Sequence, residues 1–597
     1  MADLPPRRPN VSSANVQLPA VANYTQVTDE ILDTLKPTKT WFALLLIAIT
    51  FLVIGAAAWT FQIYMGVGVA GYHPPVMWGV YIITFVFWVG IGHAGTLISA
   101  ILYLFRAGFR TTIYRCAEAM TVFAVMTAGL FPILHLGRPW KFFWLIAYPN
   151  WRLVWPQFKS PLVWDVFAIL TYLTVSATFL YIGLLPDLAA MRDREKNPVR
   201  RAIYGQLSLG WRNSDREWRH FARAYLFLAA FSTPLVLSVH SVVSFDFAMA
   251  NTPGWHATIF PPYFVAGAIF SGIGMVFTII IPVRRWFNLK HYVTINHLDA
   301  AAKLCLFTSC VVGLAYLTEF WVAWYSGNAF EQSYFMNRVF GQWWWAAWIM
   351  LTCNMILPMS LWSQKARRNT TWLFILSLFI NLGMWFERFV IIVPSLSHEF
   401  EPWRWSGYAP TIIDWSILLG SFGWFSMWFL LFIKQLPVIA VSEVKEIVPP
   451  ALKKEKPGEV TVYSPTPRHE LEHAIHAGPS VVRRYTLIGG LLGATFGYWV
   501  AIWVSRYWAL VVGGKPVSSW VPYTIISFEL MVLFGSLATV AGLFINARIP
   551  RISMTVGYDP RFSDGDYGVW VECPPEKQDA VKQLLARTGA TEVRGEQ

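Results

Sequence analysis

The side chains able to do chemistry in this 597-residue sequence are few, and most are single proton-carrying groups set in long apolar runs. They are His93, His135 and His240, the carboxyls Asp165, Asp246, Glu319, Glu387, Asp414 and Glu529, and Arg388 directly after Glu387. The five cysteines, Cys116, Cys305, Cys310, Cys353 and Cys573, are scattered and form no CxxC or CxxCH. That excludes a locally encoded iron–sulfur site or an attached c-type haem. A membrane di-haem protein wants facing pairs of histidines on two helices, and these three stand singly on three, which argues against haem b. Acid–base chemistry remains, because histidine and carboxylate accept a proton and pass it on. Plainer readings stand beside it. Asp246 and Asp414 lie near helix ends, where an acid is solvated or caps the helix. Glu387 and Arg388 fit a structural buried pair, Glu319 fits pairing with a neighbouring helix, and His93 fits a helix–helix hydrogen bond.

The elements that must position these groups are membrane helices. Hydrophobic residues make up 55% of the chain and charged residues 14%, against about 25% charged in soluble proteins. A spanning helix needs about 20 mostly apolar residues. Twelve runs qualify, from Trp41–Met65 to Trp520–Ile545, ten in one block and two after a polar gap. The first forty residues contain no signal-peptide pattern, so the N-terminus is expected inside. The even loops carry most of the Lys and Arg, including Arg106, Arg110, Arg192, Arg194, Arg200, Arg201, Arg284, Arg285, Arg367 and Arg368, and the tail carries Arg7 and Arg8. By the positive-inside rule both termini face the cytoplasm and the odd loops face out. Among the odd loops only the third is read as basic, with Arg138, Lys141, Arg152 and Lys159. The net charge of +13 fits such loops, and nothing resembles a nucleic-acid module.

The expected organisation is all-α and polytopic. Residues 1–40 form a cytoplasmic tail, 41–435 a ten-helix membrane domain, 436–484 a cytoplasmic linker, 485–546 a two-helix unit and 547–597 a small α+β tail. The linker holds Pro449-Pro450 and the charged run Lys453–Lys456. In the tail, Tyr567–Val571 reads as a strand and Glu576–Thr588 as an amphipathic helix with Val581, Leu584 and Leu585 inward.

With this orientation the proton-carrying groups gather in the outer half, His135 ending the third span and Asp165 opening the fourth. Only His93 and Glu529 lie deeper. An intramembrane ionisable group is a functional hypothesis by default. A quinol loses two electrons and two protons on oxidation, so its hydroxyls need such acceptors and its tail needs an apolar cleft. Trp140, Phe142, Phe143, Trp144, Trp151 and Trp155, in the loop between His135 and Asp165, suit the walls of that cleft. An ordinary interfacial aromatic belt is the other reading of these rings.

The stretch His135-Leu-Gly-Arg-Pro-Trp140, with Trp155-Pro-Gln-Phe-Lys-Ser-Pro-Leu-Val-Trp-Asp165, resembles the polysulfide-reductase-type (NrfD-like) quinone-binding membrane subunits. Among these it looks most like the large quinol-binding subunit of alternative complex III. The segment around His93 and Trp385-Phe-Glu-Arg-Phe-Val390 match the same pattern, over about residues 25–440. Val462-Tyr-Ser-Pro-Thr-Pro467, leading to Gly489-Gly490 and the last two spans, is similar to a two-helix (DUF3341-like) subunit of the same complex, lacking most of its strand–helix start. The resemblance implies two four-helix bundles with peripheral helices. It further implies quinol oxidation at His135 and Asp165, with Arg138, His240 and Asp246 also binding quinol. Proton-transfer candidates are His93, Glu319, Glu387, Arg388 and Asp414, with proton translocation left open. The quinone is expected to be of the menaquinone type. The implied partners are an iron–sulfur/molybdopterin-like subunit, c-type haem subunits and small membrane subunits, in a bacterial cytoplasmic membrane. The final two spans are expected to be an assembly element apart from the quinol site. Competing readings are a twelve-span secondary transporter, which fits the ten-plus-two split poorly, and a non-catalytic anchor, which leaves His135 and Asp165 unexplained.

Overall fold

A computed structural model describes residues 24–105, 107, 112–146, 148–150, 153–447, 461–467, 480–511, 513–551, 557–571, 573 and 577–595. Arg7, Arg8, Arg106, Arg110, Trp151, Arg152, the Pro449-Pro450 pair and the run Lys453–Lys456 lie outside the described residues. Among the described residues, twelve helices are long and apolar enough to cross a membrane, so the chain is an all-α, multi-pass integral membrane protein. They are α1 (Lys39–Met65), α2 (Val80–Leu104), α3 (Tyr114–His135), α4 (Pro161–Arg194), α5 (Asp215–Ala248), α6 (Phe260–Trp286), α7 (Ile295–Ser326), α8 (Trp344–Trp362), α9 (Thr370–Ser397), α10 (Ile412–Gln435), α11 (Val482–Tyr507) and α12 (Trp520–Ala547).

Local sequence explains where several begin. Pro161 opens α4 at a position whose N–H would have no helical partner. In α5, the Ser214 hydroxyl accepts from Glu217 N while the Glu217 carboxylate accepts from Ser214 N, a reciprocal cap. Thr411 and Asp414 form the same box at α10. Two helices contain a π turn, Leu97–Ile101 in α2 and Thr352–Ile356 in α8. Such a turn rotates the following side chains relative to a regular helix.

Helices α2 to α5 form one four-helix group and α6 to α9 a second, joined where α2 packs on α6 and α9. Helix α2 is buried almost throughout, whereas α1 is mostly exposed and pairs with α10 at the periphery. That pairing depends on two glycines, since a Cβ at Gly55 would lie 2.6 Å from the Gly420 Cα. Helices α11 and α12 form a tight antiparallel pair, with Gly489, Gly493 and Gly497 against the α12 backbone, and α12 lies against α4 and α5. A Cβ at Gly493 would stand 2.2 Å from the Leu530 carbonyl oxygen. Gly493→Val is therefore expected to force the pair apart at a cost of about 1–3 kcal/mol. Thermal unfolding of the purified protein tests this, and an unchanged midpoint would contradict it.

The polar ends are more ordered than composition suggests. A short amphipathic helix, Tyr24–Asp33, buries Tyr24, Val27, Thr28 and Ile31 along one face. Strand β1 (Thr461–Tyr463) pairs antiparallel with β2 (Gly568–Trp570), Val462 opposite Val569. The segment after β1 is anchored where Ser464 N donates to the Asn213 carbonyl, and Trp218 Nε1 donates to that of Ser464. The tail docks on the end of α4: Arg192 donates to the Tyr558 hydroxyl at 2.7 Å, and Ser563 donates to Asp193 at 2.6 Å. Lys445 Nζ donates to the carbonyls of Ser563 and Asp564, and its burial lowers the ammonium pKa to about 7. The strand expected at Tyr567–Val571 is thus present as Gly568–Trp570, and the helix as Gln578–Arg587. One correction concerns its inward face. Leu584 is 59% exposed and no residue of that helix is buried, because no described element covers it.

Candidate functional site

The structure sorts the candidate residues into three groups, two of them towards the end of the bundle where α3 finishes and α4 begins. The first surrounds His135, the last residue of α3. The carbonyl of Leu134 accepts from Gln62 Nε2 of α1 at 3.1 Å, and Gln62 Oε1 accepts from the Tyr81 hydroxyl of α2. Three helices are thereby tied at the turn that carries the imidazole. The Tyr72 ring stands edge-on to His135 with centroids 5.6 Å apart, and stacks on Tyr408 at 6.3 Å. Gly137 follows at φ +70°, where a Cβ would meet Val67 Cγ2 at 2.0 Å, so the His-Leu-Gly-Arg turn needs its glycine. Arg138 is exposed at the mouth. Asp414 is wholly buried beside these tyrosines, with Oδ2 accepting from Thr411 N at 2.8 Å and Oδ1 unpartnered. Its capping role is therefore real, and it leaves one oxygen free.

The second group is built on α4 and α5. Asp165, 6% exposed, faces Asp246 closely enough for their carboxyls to share a hydrogen bond. A carboxylate only accepts, so a hydrogen bond between them forms only when one of the two carries a proton. Among the described residues, Asp165 Oδ1, Asp246 Oδ1 and His135 Nδ1 have no hydrogen-bond partner. Buried polar atoms are nearly always satisfied, so three such atoms at one bundle end need explaining. Among the described residues no hydrogen bond or ion pair joins His135 directly to Asp165.

The third group is a buried polar chain running through both bundles. The His93 and His240 rings are 4.5 Å apart, and His93 Nδ1 lies 2.7 Å from the Val89 carbonyl. His240 Nε2 is 3.5 Å from Arg388 Nη2, and Arg388 also covers the Phe264 ring at 4.3 Å. Arg388 pairs with Glu387 at 2.9 Å, and Glu387 accepts from the Tyr316 hydroxyl and from Asn354. Glu319 pairs with Arg338 at 3.3 Å. The structural reading of Glu387, Arg388 and Glu319 as ion pairs thus holds geometrically, and the chain of contacts extends it.

Several members are not visible as candidates in the sequence. Arg338 has the sequence context of an exposed loop residue, but the helix Ala329–Val339 folds back and buries it. Tyr316 and Asn354 read as ordinary members of apolar runs, although the π turn of α8 carries Asn354 towards Glu387. At the other end of the first bundle, Arg115 and Asp187 form a buried pair at 3.1 Å and the Tyr225 hydroxyl donates to Glu118.

The aromatic loop is largely open. Trp140, Phe142 and Trp144 are half exposed or more, as suits an interface with lipid or a partner. An apolar groove of about 460 Å³ opens elsewhere, between α5, α6 and α7, lined by Leu237, Pro261, Val265 and Phe307. It contains no titratable side chain and suits a lipid tail, so the acid–base geometry rather than this groove marks the candidate site.

The final pair packs directly on the ten-helix domain. Glu529 of α12 is buried against α5, where the Ser238 hydroxyl reaches its Oε1 at 2.8 Å. The outer loop is also joined to the pair, with Lys159 Nζ donating to the Pro516 carbonyl and Trp155 edge-on to Trp503.

Known proteins give these features a context. Residues 442–595 match the family described as alternative complex III, ActD subunit. A putative membrane subunit of a dimethyl sulfoxide reductase from Halobacterium salinarum is 28% identical over 237 residues, covering 39% of this chain and 50% of that protein. A selenate reductase subunit from Mesobacillus selenatarsenatis is 23% identical over 395 residues, covering 62% of this chain and 87% of that protein. Thus the aligned part spans half the length of the first relative and most of the second. Residues 68–398, which carry His93, the His135–Asp165 block and the Glu387–Arg388 pair, match the family described as polysulphide reductase, NrfD, and the chain belongs to that family.

Proposed function

We propose that the chain is the quinol-oxidising membrane subunit of a quinol:electron-acceptor oxidoreductase resembling alternative complex III, with a cytochrome c type acceptor. The observation that carries this is the facing Asp165–Asp246 carboxyl pair of α4 and α5 together with three buried atoms, His135 Nδ1 and both Oδ1 atoms, that have no partner among the described residues. Quinol hydroxyls at this bundle end would satisfy them, one donating to His135 and the other to Asp165, with Asp246 taking the proton on from Asp165. Arg138 at the mouth and His240 behind complete the binding set. The quinone is of the menaquinone type in this reading. Electrons leave for an iron–sulfur/molybdopterin-like partner and for haem subunits of the c type, since the cysteines of this chain form no ligand motif.

Protons leave on the outer side in this reading, with both termini in the cytoplasm of a bacterium and the chain in its inner membrane. Residues 41–435 act as the redox membrane domain and 485–546 as a fused two-helix unit. The buried chain from His93 through Arg388 to Glu387 and Glu319 offers a route for proton movement into the second bundle. Affinity purification from native membranes tests the proposal. The expected result is co-purifying haem and iron, and quinol-dependent reduction of a cytochrome c type acceptor. A colourless single chain without that activity would overturn it.

A further inference from the structure

The carboxyl pair of α4 and α5 has a third neighbour, contributed by the fused C-terminal unit. Glu529 is fully buried on α12, which packs on α4 and α5, and it lies near enough to Asp165 to feel that carboxyl's charge. It lies nine residues inside α12, Asp165 four residues inside α4 and Asp246 two residues from the end of α5. At 1.5 Å per residue these are depths of about 13, 6 and 3 Å from one bundle end. The three carboxyls therefore step inward from the mouth. Among the described residues Glu529 Oε2 has no partner, the position expected of a group that exchanges a proton.

Its one hydrogen-bond partner suits both protonation states. The Ser238 hydroxyl has a single proton and two acceptors in reach, the Leu235 carbonyl at 3.1 Å and Glu529 Oε1 at 2.8 Å. With the proton turned to Glu529, the carboxylate accepts. With it turned to Leu235, a protonated Glu529 donates to the hydroxyl. Ser238 is two residues from His240, on the same helix as Asp246. Asp165 is the titratable group facing Glu529 from α4, and Asp246 lies on α5 beyond it. Helix α11 presents its glycine face to α12, and among the described residues no ion pair reaches Glu529.

We propose that Glu529 is a proton-holding residue behind the quinol site: lying deeper than Asp165, it takes up a proton that Asp165 has accepted and later returns it, so that the two-helix unit completes the proton-handling machinery of the ten-helix domain. The step is a reversible proton transfer alone: the carboxylic acid of Asp165 yields its proton to the Glu529 carboxylate and takes it back once Asp246 has released the preceding proton towards the outer side, and no electron moves. This rests on the quinol-oxidising function proposed above.

The test uses the whole complex with a short-chain quinol and a soluble electron acceptor. Glu529→Gln keeps size and hydrogen bonding but cannot take a proton. It is expected to lower kcat about 10–100-fold with KM unchanged and to alter the pH profile, while Glu529→Asp restores most of the rate. Parental kcat and pH profile in an assembled E529Q complex would overturn the proposal, as would equal loss in E529D and E529Q. Should E529Q not assemble, Ser238→Ala carries the test: a several-fold fall in kcat at constant KM is expected, and a parental rate contradicts it. A parental complex that oxidises no quinol would instead refute the underlying function.

Discussion

Asp165→Asn is expected to remove most quinol oxidation, by about 10²–10⁴-fold, from a complex that still assembles. The reason is the environment of the carboxyl. Asp165 is 6% exposed, faces the Asp246 carboxyl within hydrogen-bonding reach, and keeps Oδ1 unpartnered among the described residues. An amide fills the same volume and still donates to Asp246, so packing of α4 on α5 survives. What it lacks is the capacity to accept a proton from a quinol hydroxyl. The loss belongs in kcat, because contacts to the rest of the quinol are intact. Steady-state oxidation by purified complex, normalised to complex content, measures it. Parental turnover in D165N would remove Asp165 from the mechanism.

The second large effect is on stability. Arg388→Met should destabilise the protein by about 3–5 kcal/mol, the cost of leaving one member of a buried ion pair alone. Glu387 is fully buried, and Arg388 is its ion-pair partner at 2.9 Å. Arg388 also reaches His240 and covers the Phe264 ring, so methionine loses three contacts and restores only the stem packing. The double variant Glu387→Gln with Arg388→Met should recover much of the loss, since no buried charge is then stranded. Thermal unfolding of both variants decides the matter. Equal midpoints for parent and R388M would show that the pair carries no structural weight.

The membrane architecture is largely legible in the sequence because its cause is simple. Hydrocarbon allows only helices whose backbone groups are internally bonded, so twelve apolar runs become twelve helices. The individual site residues are legible for the same reason, as each charge in an apolar run must justify its cost. Their grouping is not. Nothing in the spacing of Asp165 and Asp246, eighty-one residues apart, shows that α4 and α5 set their carboxyls face to face. Arg338 is hidden by a loop position, and Asn354 by a π turn that a period of 3.6 does not anticipate. Glu529 is visible as a deep acid, but the polar linker before it suggests independence. Packing of α12 on α4 and α5 follows instead from tertiary surfaces, a glycine face for α11 and a polar contact to Ser238 for α5. Leu584 shows the reverse case: an amphipathic pattern predicts a face to be covered, and no described element covers it.

The most direct measurement is a density map of the purified complex with a quinone-site inhibitor bound. The inhibitor headgroup is predicted between the end of α3 and the start of α4, within hydrogen-bonding distance of His135 Nδ1 and of Asp165 Oδ1, two of the buried atoms that lack partners among the described residues. Density for the headgroup in the apolar groove lined by Leu237, Pro261 and Phe307, with none at His135 and Asp165, would contradict the account.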